Sequence, residues 1–327
     1  MKNVRYPGAT LPPAAAAPPE YARPGLNLRS RAQVASIVAI SVGVGLLLSI
    51  VWSFEVADGV LGATIADTAL GADARNVEIG GPTSGIVFAF VAGLAATFTA
   101  CNCVVFSCVA PLAGQSQAAR RSLPPLLGWM TLGVLTVTIA YGVAGAIFGH
   151  ALPMLSSATL PIGAGQGYPV RLAQSTLVFV TLGIVLVGWG LADLRRGADA
   201  PSAATAARAW IKPLCLGLII GGFTVGRPFP LFRKAFEYAA ETGNPLFSAA
   251  AMALQGLGNI ALIVALLLAL TYATGGRAPR WLARHPQATV VLTAASLIVG
   301  GVFLIAYWGL RVPSIFGIGW FPRMPYN

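Results

Sequence analysis

Long apolar runs separated by short polar joints dominate the chain. Runs of membrane length predict helices at about 34–54, 84–113, 126–150, 170–193, 246–273 and 288–309. A further apolar run starts near Pro213, is interrupted at Gly226-Arg227-Pro228-Phe229-Pro230, and continues over 231–241. Proline removes a backbone donor and clashes with the preceding turn, so this run predicts a broken helix. Pro111 interrupts the 84–113 run in the same way. The joint at 55–82 carries Glu55, Asp58, Asp67, Asp73 and Glu78 with one arginine, Arg75, and reads as the largest polar loop, able to dock a partner.

Basic residues fall at alternate joints. Arg120 and Arg121 follow the second run, Arg195 and Arg196 the fourth, Arg208 and Lys212 precede the fifth, and Arg277, Arg280 and Arg284 follow the sixth. The positive-inside rule then predicts seven spans with the N-terminus cytoplasmic and the C-terminus periplasmic. Arg227, Arg233 and Lys234 depart from that count. Residues 1–33 are rich in Pro and Ala and read as a disordered cytoplasmic tail, not a cleavable signal, because the apolar run after them is late and of span length. The expected units are this tail, an extra span at 34–54, three-helix units at 84–194 and 213–310, and a short periplasmic tail at 311–327.

Composition agrees. Of 327 residues, 56% are hydrophobic and 9% charged, against about 25% charged in soluble domains. The net charge of +11 resides in short joints, where it sets topology and gives no nucleic-acid signal. Two histidines, His150 and His285, lie near span ends predicted to face opposite sides, which excludes a histidine-rich metal or haem site. No phosphate-binding loop, zinc-protease motif or nucleophile elbow is present, and no cofactor is implied.

Each three-helix unit opens with a Gly-rich helix broken by proline, and the two openers start on opposite sides of the membrane. That is the pattern of an inverted-topology repeat, in which paired broken helices meet near the midplane and form the site. The first opener carries three of the four cysteines: Cys101-Asn102-Cys103, then Cys108-Val109-Ala110-Pro111. Thiols are redox-active and soft. On an intact helix Cys103 and Cys108 are separated by about 7.5 Å of rise, and Cys101 and Cys108 by about 10.5 Å. Both exceed the usual disulfide reach. Cys101 and Cys103 splay by about 200° around the axis. An internal disulfide therefore requires unwinding around Asn102 and Pro111. A mixed disulfide of Cys108 with an external partner does not. The competing readings are three small apolar packers, or a soft-metal site on unwound backbone.

The order of these motifs resembles the CcdA/DsbD transmembrane family over about 84–310. Phe90-Val91-Ala92-Gly93-Leu94 leading to Ser107-Cys108-Val109-Ala110-Pro111-Leu112 is similar to that family's first helix, which reads F-L-A-G-L then P-C-V-L-P-L. Gly217 to Arg227-Pro228-Phe229, then Gly243, then Gly256 and Gly258, resembles its second half. The resemblance implies an all-α polytopic fold and a thiol–disulfide relay in the bacterial inner membrane. Electrons would pass from cytoplasmic thioredoxin to periplasmic thioredoxin-like or disulfide-containing proteins. Cys108 stands at the family's first cysteine. Phe229 stands at the second, and Ser107 replaces the proline before the first. The usual two-cysteine relay is therefore incomplete, and Cys103 or Cys101 would have to resolve a mixed disulfide formed at Cys108. A methylamine-utilisation (MauF-type) branch, associated with a disulfide-rich dehydrogenase, is similar in scaffold. Two other functions fit the scaffold: a transporter of a small solute or soft metal between Pro111 and Pro228, and an accessory subunit that docks a partner.

Arg227 is the most informative polar residue outside the cysteines. Inside the bundle it would favour a nearby thiolate; at the outer interface it would snorkel. Gln174, Gln255 and Asn259 read as interhelical hydrogen bonders, Gly93, Gly256 and Gly258 as close-packing positions, and Cys215 as a packer.

Overall fold

The computed structural model describes residues 31–53, 55–71, 73–98, 123–162, 167–196, 210–273, 277, 281, 284–322 and 324. Helix α1 (Arg31–Val51) is followed by π-type turns at Glu55–Gly62 and by α2 (Ala63–Leu70). Helix α3 (Pro82–Ala95) ends in a 3-10 turn at Ala96–Phe98. Then come α4 (Leu123–Phe148), a two-residue antiparallel pair β1 (Thr159–Leu160) and β2 (Tyr168–Pro169), and α5 (Val170–Arg196). Helices α6 (Ile211–Val225) and α7 (Pro230–Glu241) flank the predicted break. The chain closes with α8 (Pro245–Ala273), α9 (Pro286–Ala306), π-type turns at Tyr307–Arg311, and α10 (Val312–Ile315).

Among the described residues five helices are long and apolar enough to cross a membrane, or six if α6 and α7 count as one bent span. The protein is an all-α, multi-pass membrane protein. In lipid, helices satisfy their own backbone, so apolar length is enough to make them. Helix α3 is apolar but has only 14 residues, short of the ~20 needed to cross. The remainder of the expected 84–113 run from residue 99 onward lies outside the described residues.

Small residues set the packing. A Cβ on Gly93 of α3 would strike the backbone of Gln255 and Asn259 on α8, and one on Gly258 would strike Phe90 and Leu94 in return. Helix α6 meets α4 in the same way: Gly217 abuts Met130, and Gly133 abuts Leu214 and Leu218. Gly221 lies on Val134 and Val137, so α4 and α6 run in the same direction. Helices α4 and α8 are antiparallel, with Gly142 against Ser248 and Gly256 against Thr138. So are α5 and α9, where a Cβ on Gly183 would lie 2.7 Å from the Gly301 carbonyl. Without a hydrophobic drive between helices in lipid, such close backbone approach supplies the dispersion energy that holds the bundle. Between α5, α6 and the α9 end, Phe179 stacks on Trp308 at 4.6 Å and tilts against Phe223 at 5.9 Å.

Three expectations change. The 55–82 segment is not a polar loop but is largely helical to Gly71. Its small side chains Ala66 and Ala74 bury against Val91 and Ala95 of α3, and Asp67 Oδ1 accepts from the Ala74 N–H at 2.8 Å. Glu55 and Glu78 are exposed, and Asp73 Oδ1 accepts from the Arg75 N–H at 3.0 Å to close the turn. The 231–241 stretch does not run on in line with the fifth span; it turns aside by 86°. The expected tail from 311 begins as helix, and Arg311 is buried there.

Arg311 explains how α1 is held. The last carbonyls of a helix have no intrahelical donor. Arg311 Nη1 donates to the carbonyls of Ser49 and Trp52, both at 2.7 Å, and its guanidinium lies 5.0 Å from the Tyr307 ring. Gly45 packs on Val299 of α9, completing the attachment. Arg311→Met keeps the apolar stem and removes both charged donors. Thermal unfolding in detergent is expected to show a loss of about 3 kcal/mol, together with faster labelling of a Ser49→Cys reporter. An unchanged transition and labelling rate would show that α1 docks by apolar packing alone.

Candidate functional site

The site is built at the break. Helix α6 ends at Val225 because Pro228 and Pro230 cannot donate, and because Arg227 and Phe229, each preceding a proline, are steered away from helical backbone. Phe229 is extended (φ −70°, ψ 141°), and Pro230 opens α7 at a position where a missing N–H costs nothing. The break strands carbonyls at the end of α6. Gln174 of α5 meets one of them: its Nε2 donates to the Val225 carbonyl at 2.8 Å and to the Tyr141 hydroxyl at 3.3 Å. The Arg227 N–H turns back to the Thr224 carbonyl at 3.3 Å.

Helix α7 is amphipathic. Phe232, Ala235, Phe236, Ala239 and Ala240 are buried at i, i+3, i+4, i+7, i+8 spacing, while Arg233, Lys234, Glu237 and Glu241 line the other side. Tyr141 stacks on Phe236 at 4.6 Å, and Phe236 is near-parallel to Phe232 at 5.8 Å. Lys234 Nζ donates to the carbonyls of Arg75 (2.9 Å) and Val77, and lies 5.4 Å from the Phe88 ring. The helix is thereby pinned across the bundle. An open cleft of about 300 Å³ beside it is lined by Asn76, Glu78, Lys234, Glu237, Tyr238 and Glu241, among others.

Arg227 is the largest fully buried side chain among the described residues. Its Nη1 donates to Asn259 Oδ1 of α8 at 3.2 Å, and its guanidinium lies 5.7 Å from the Phe229 ring. The interior reading of Arg227 therefore replaces the snorkelling one. The Asn259 carbonyl accepts from Thr97 Oγ1 at 3.2 Å, so Asn259 joins the α6–α7 break to the end of α3. Gln255, one turn earlier on α8, and Thr224, one turn before Arg227, are also fully buried. Of the polar residues singled out from sequence, Gln174 and Asn259 make interhelical bonds; no hydrogen-bond partner for either side-chain atom of Gln255 is found among the described residues.

Cys101, Asn102, Cys103, Cys108 and Pro111 lie outside the described residues. The chain leaves Thr97 four residues before Cys101. Pro228 and Pro230 flank the break, and Phe229 packs in the core beside Met154, Phe232 and Phe236. Cys215 is a half-buried free thiol on α6. Among the described residues no three His, Cys, Asp or Glu side chains gather as a metal would require. Sequence reasoning missed Tyr141, Lys234 and Thr97. Tyr141 was readable as a phenol inside a span, and Lys234 stood out only as a departure from the basic count.

A double-mutant cycle tests the Arg227–Asn259 bond. Asn259→Leu is expected to cost about 2–3 kcal/mol, because it withdraws an acceptor from a buried charge. The Arg227→Met/Asn259→Leu pair is expected to cost less than the sum of the single changes. Unfolding in detergent measures both, and strict additivity would show that the two side chains do not couple. No family model, curated protein or solved structure matches this chain.

Proposed function

We propose that this is an inner-membrane protein of the CcdA/DsbD type, built from an extra N-terminal span and two inverted three-helix repeats, that carries thiol–disulfide exchange for a periplasmic redox protein. The observation that carries the reading is the buried Arg227 at a proline break, tied through Asn259 to Thr97, from which the chain enters the cysteine segment.

The packing supports the repeat. Exchanging α3 with α6, α4 with α8 and α5 with α9 turns the Gly93–Gly258 crossing into the Gly217–Gly133 crossing. The antiparallel α4–α8 and α5–α9 contacts map onto themselves. In this reading the seventh span is α3 together with the chain that follows it. The ends bearing Arg195, Arg196 and Lys212 face the cytoplasm, and the acidic 55–81 segment faces the periplasm.

The chemistry is exchange by thiolate attack. The Cys108 thiolate attacks one sulfur of the partner's disulfide. That S–S bond breaks, a mixed disulfide forms, and the displaced partner sulfur leaves as thiolate and takes a proton. Cys103 or Cys101 then attacks Cys108 sulfur, releasing the partner as a dithiol and leaving a disulfide in the membrane. Two electrons and two protons have moved. A cytoplasmic dithiol of the thioredoxin class restores the thiols by the same steps in reverse. The Arg227 guanidinium favours the attacking thiolate over the thiol. Phe229, where the family carries its second cysteine, closes the break with an apolar ring, so the resolving thiol comes from the first repeat. The partner is a thioredoxin-like protein or a disulfide-rich enzyme such as a methylamine dehydrogenase.

Acid-trapped membranes are expected to yield a partner-bound mixed disulfide that accumulates in Cys103→Ala or Cys101→Ala and is lost in Cys108→Ala. In Arg227→Met the yield of that adduct at fixed pH is expected to fall. A Cys108→Ala chain that still matures its partner, with no adduct trapped in any variant, would sink the redox reading.

A further inference from the structure

The cleft beside α7 has two unlike walls. One is the polar side of α7, where Glu237 and Glu241, four residues apart, share a face with Lys234 and Tyr238. The other is the stretch from Val77 to Ile79, which is neither helix nor strand. No backbone hydrogen bond to or from Glu78, Ile79 or Gly80 is found among the described residues. The Lys234 ammonium is engaged by the carbonyls of Arg75 and Val77. Among the described residues Lys234, Glu78 and Glu241 make no ion pair, and Glu237 reaches only Arg233, at 3.9 Å. Three carboxylates therefore line one open cleft with their charge largely unanswered. The Tyr238 ring, lodged against Gly85 and edge-on to Phe247 at 6.1 Å, sets a fixed aromatic surface beside them.

We propose, resting on the redox reading for the partner and for the side of the membrane it occupies, that this cleft docks an extended, lysine- or arginine-bearing segment of the periplasmic partner. The walls fit that occupant. Glu78, Glu237 and Glu241 complement an ammonium or guanidinium head, and Tyr238 adds a ring for cation–π contact. The backbone groups of Glu78, Ile79 and Gly80 are free to pair with a second extended chain, as in strand addition. A bare metal ion fits less well, because among the described residues no three His, Cys, Asp or Glu side chains gather closely enough to hold one. Carboxylates spread around an open space of about 300 Å³ suit a side chain presented on a larger molecule. Helix α7 starts at Pro230, directly after the break, and its 12 residues rise about 18 Å. A segment docked along it therefore lies beside the corner that holds Arg227.

The test uses the full chain in nanodiscs of uncharged phosphatidylcholine, with empty nanodiscs as the blank. The probes are a capped short peptide of alternating valine and lysine, and the same peptide with glutamine for lysine. Saturable one-to-one binding is expected, with the lysine peptide about tenfold tighter than the glutamine one. Glu78 and Glu241 are both exposed, so the Glu78→Gln/Glu241→Gln chain is expected to fold and to lose most of that preference, mainly through slower association. In the same chain, mixed-disulfide formation with the periplasmic partner is expected to slow by about fivefold, while reaction of Cys108 with a small uncharged disulfide is unchanged. The two readings fail differently. If the thiol chemistry is wrong, no adduct forms in any chain, yet the lysine peptide still binds. If the docking is wrong, the adduct forms in the double variant at the wild-type rate. The proposal is overturned by equal binding of the two peptides or by wild-type binding in the double variant. It is equally overturned if stoichiometric calcium displaces the lysine peptide and by itself raises the unfolding temperature, which would assign the carboxylates to a metal.

Discussion

A helix broken inside an apolar bundle leaves carbonyls that water does not reach, and the rest of this architecture follows from how those groups are met. At the α6–α7 corner Gln174 donates to the Val225 carbonyl and Arg227 is held by Asn259. At the end of α1 a second arginine, Arg311, does the equivalent work for Ser49 and Trp52. In both places a guanidinium that would be costly alone is stabilised by acceptors that themselves needed a donor. Each desolvation problem answers the other.

Close helix crossings provide the frame for those polar contacts. Because Gly93 and Gly258 let α3 and α8 approach to backbone contact, Asn259 is near enough to take Thr97 on its carbonyl and Arg227 on its side chain. A larger residue at either glycine would push the helices apart by more than a hydrogen bond can stretch. The polar cluster is thus a product of the packing, and the small residues are as much a part of the site as the charged ones.

Much of this was readable from the chain. The apolar runs located the long helices, and the prolines at 228 and 230 located the break, because both signals are local. Arg227 stood out because charge is rare in such runs. Direction was only partly readable: the 3.6-residue apolar stripe of 230–241 and the charges of Arg233, Lys234, Glu237 and Glu241 mark an amphipathic helix, but neither gives the angle at which it leaves the span. The 55–71 segment misled because its buried face consists of alanines, which carry little hydrophobic signal beside Glu55, Asp58 and Asp67. Asn259 and Thr97 lie 162 residues apart, and no pattern within either helix announces such a partner. The pairing of Lys234 with the carbonyls of Arg75 and Val77 is hidden for the same reason.

Helix α3 is tethered to the corner at both of its ends. Near its start, the preceding 75–77 backbone is held by Lys234 of α7, and Gly85 lies under the Tyr238 ring. Beyond its end, Thr97 reaches Asn259 and through it Arg227. The corner and α3 are therefore yoked like the two arms of one crank. Neither α7 nor α3 can shift alone without giving up the Lys234, Tyr238 or Asn259 contacts that fasten them.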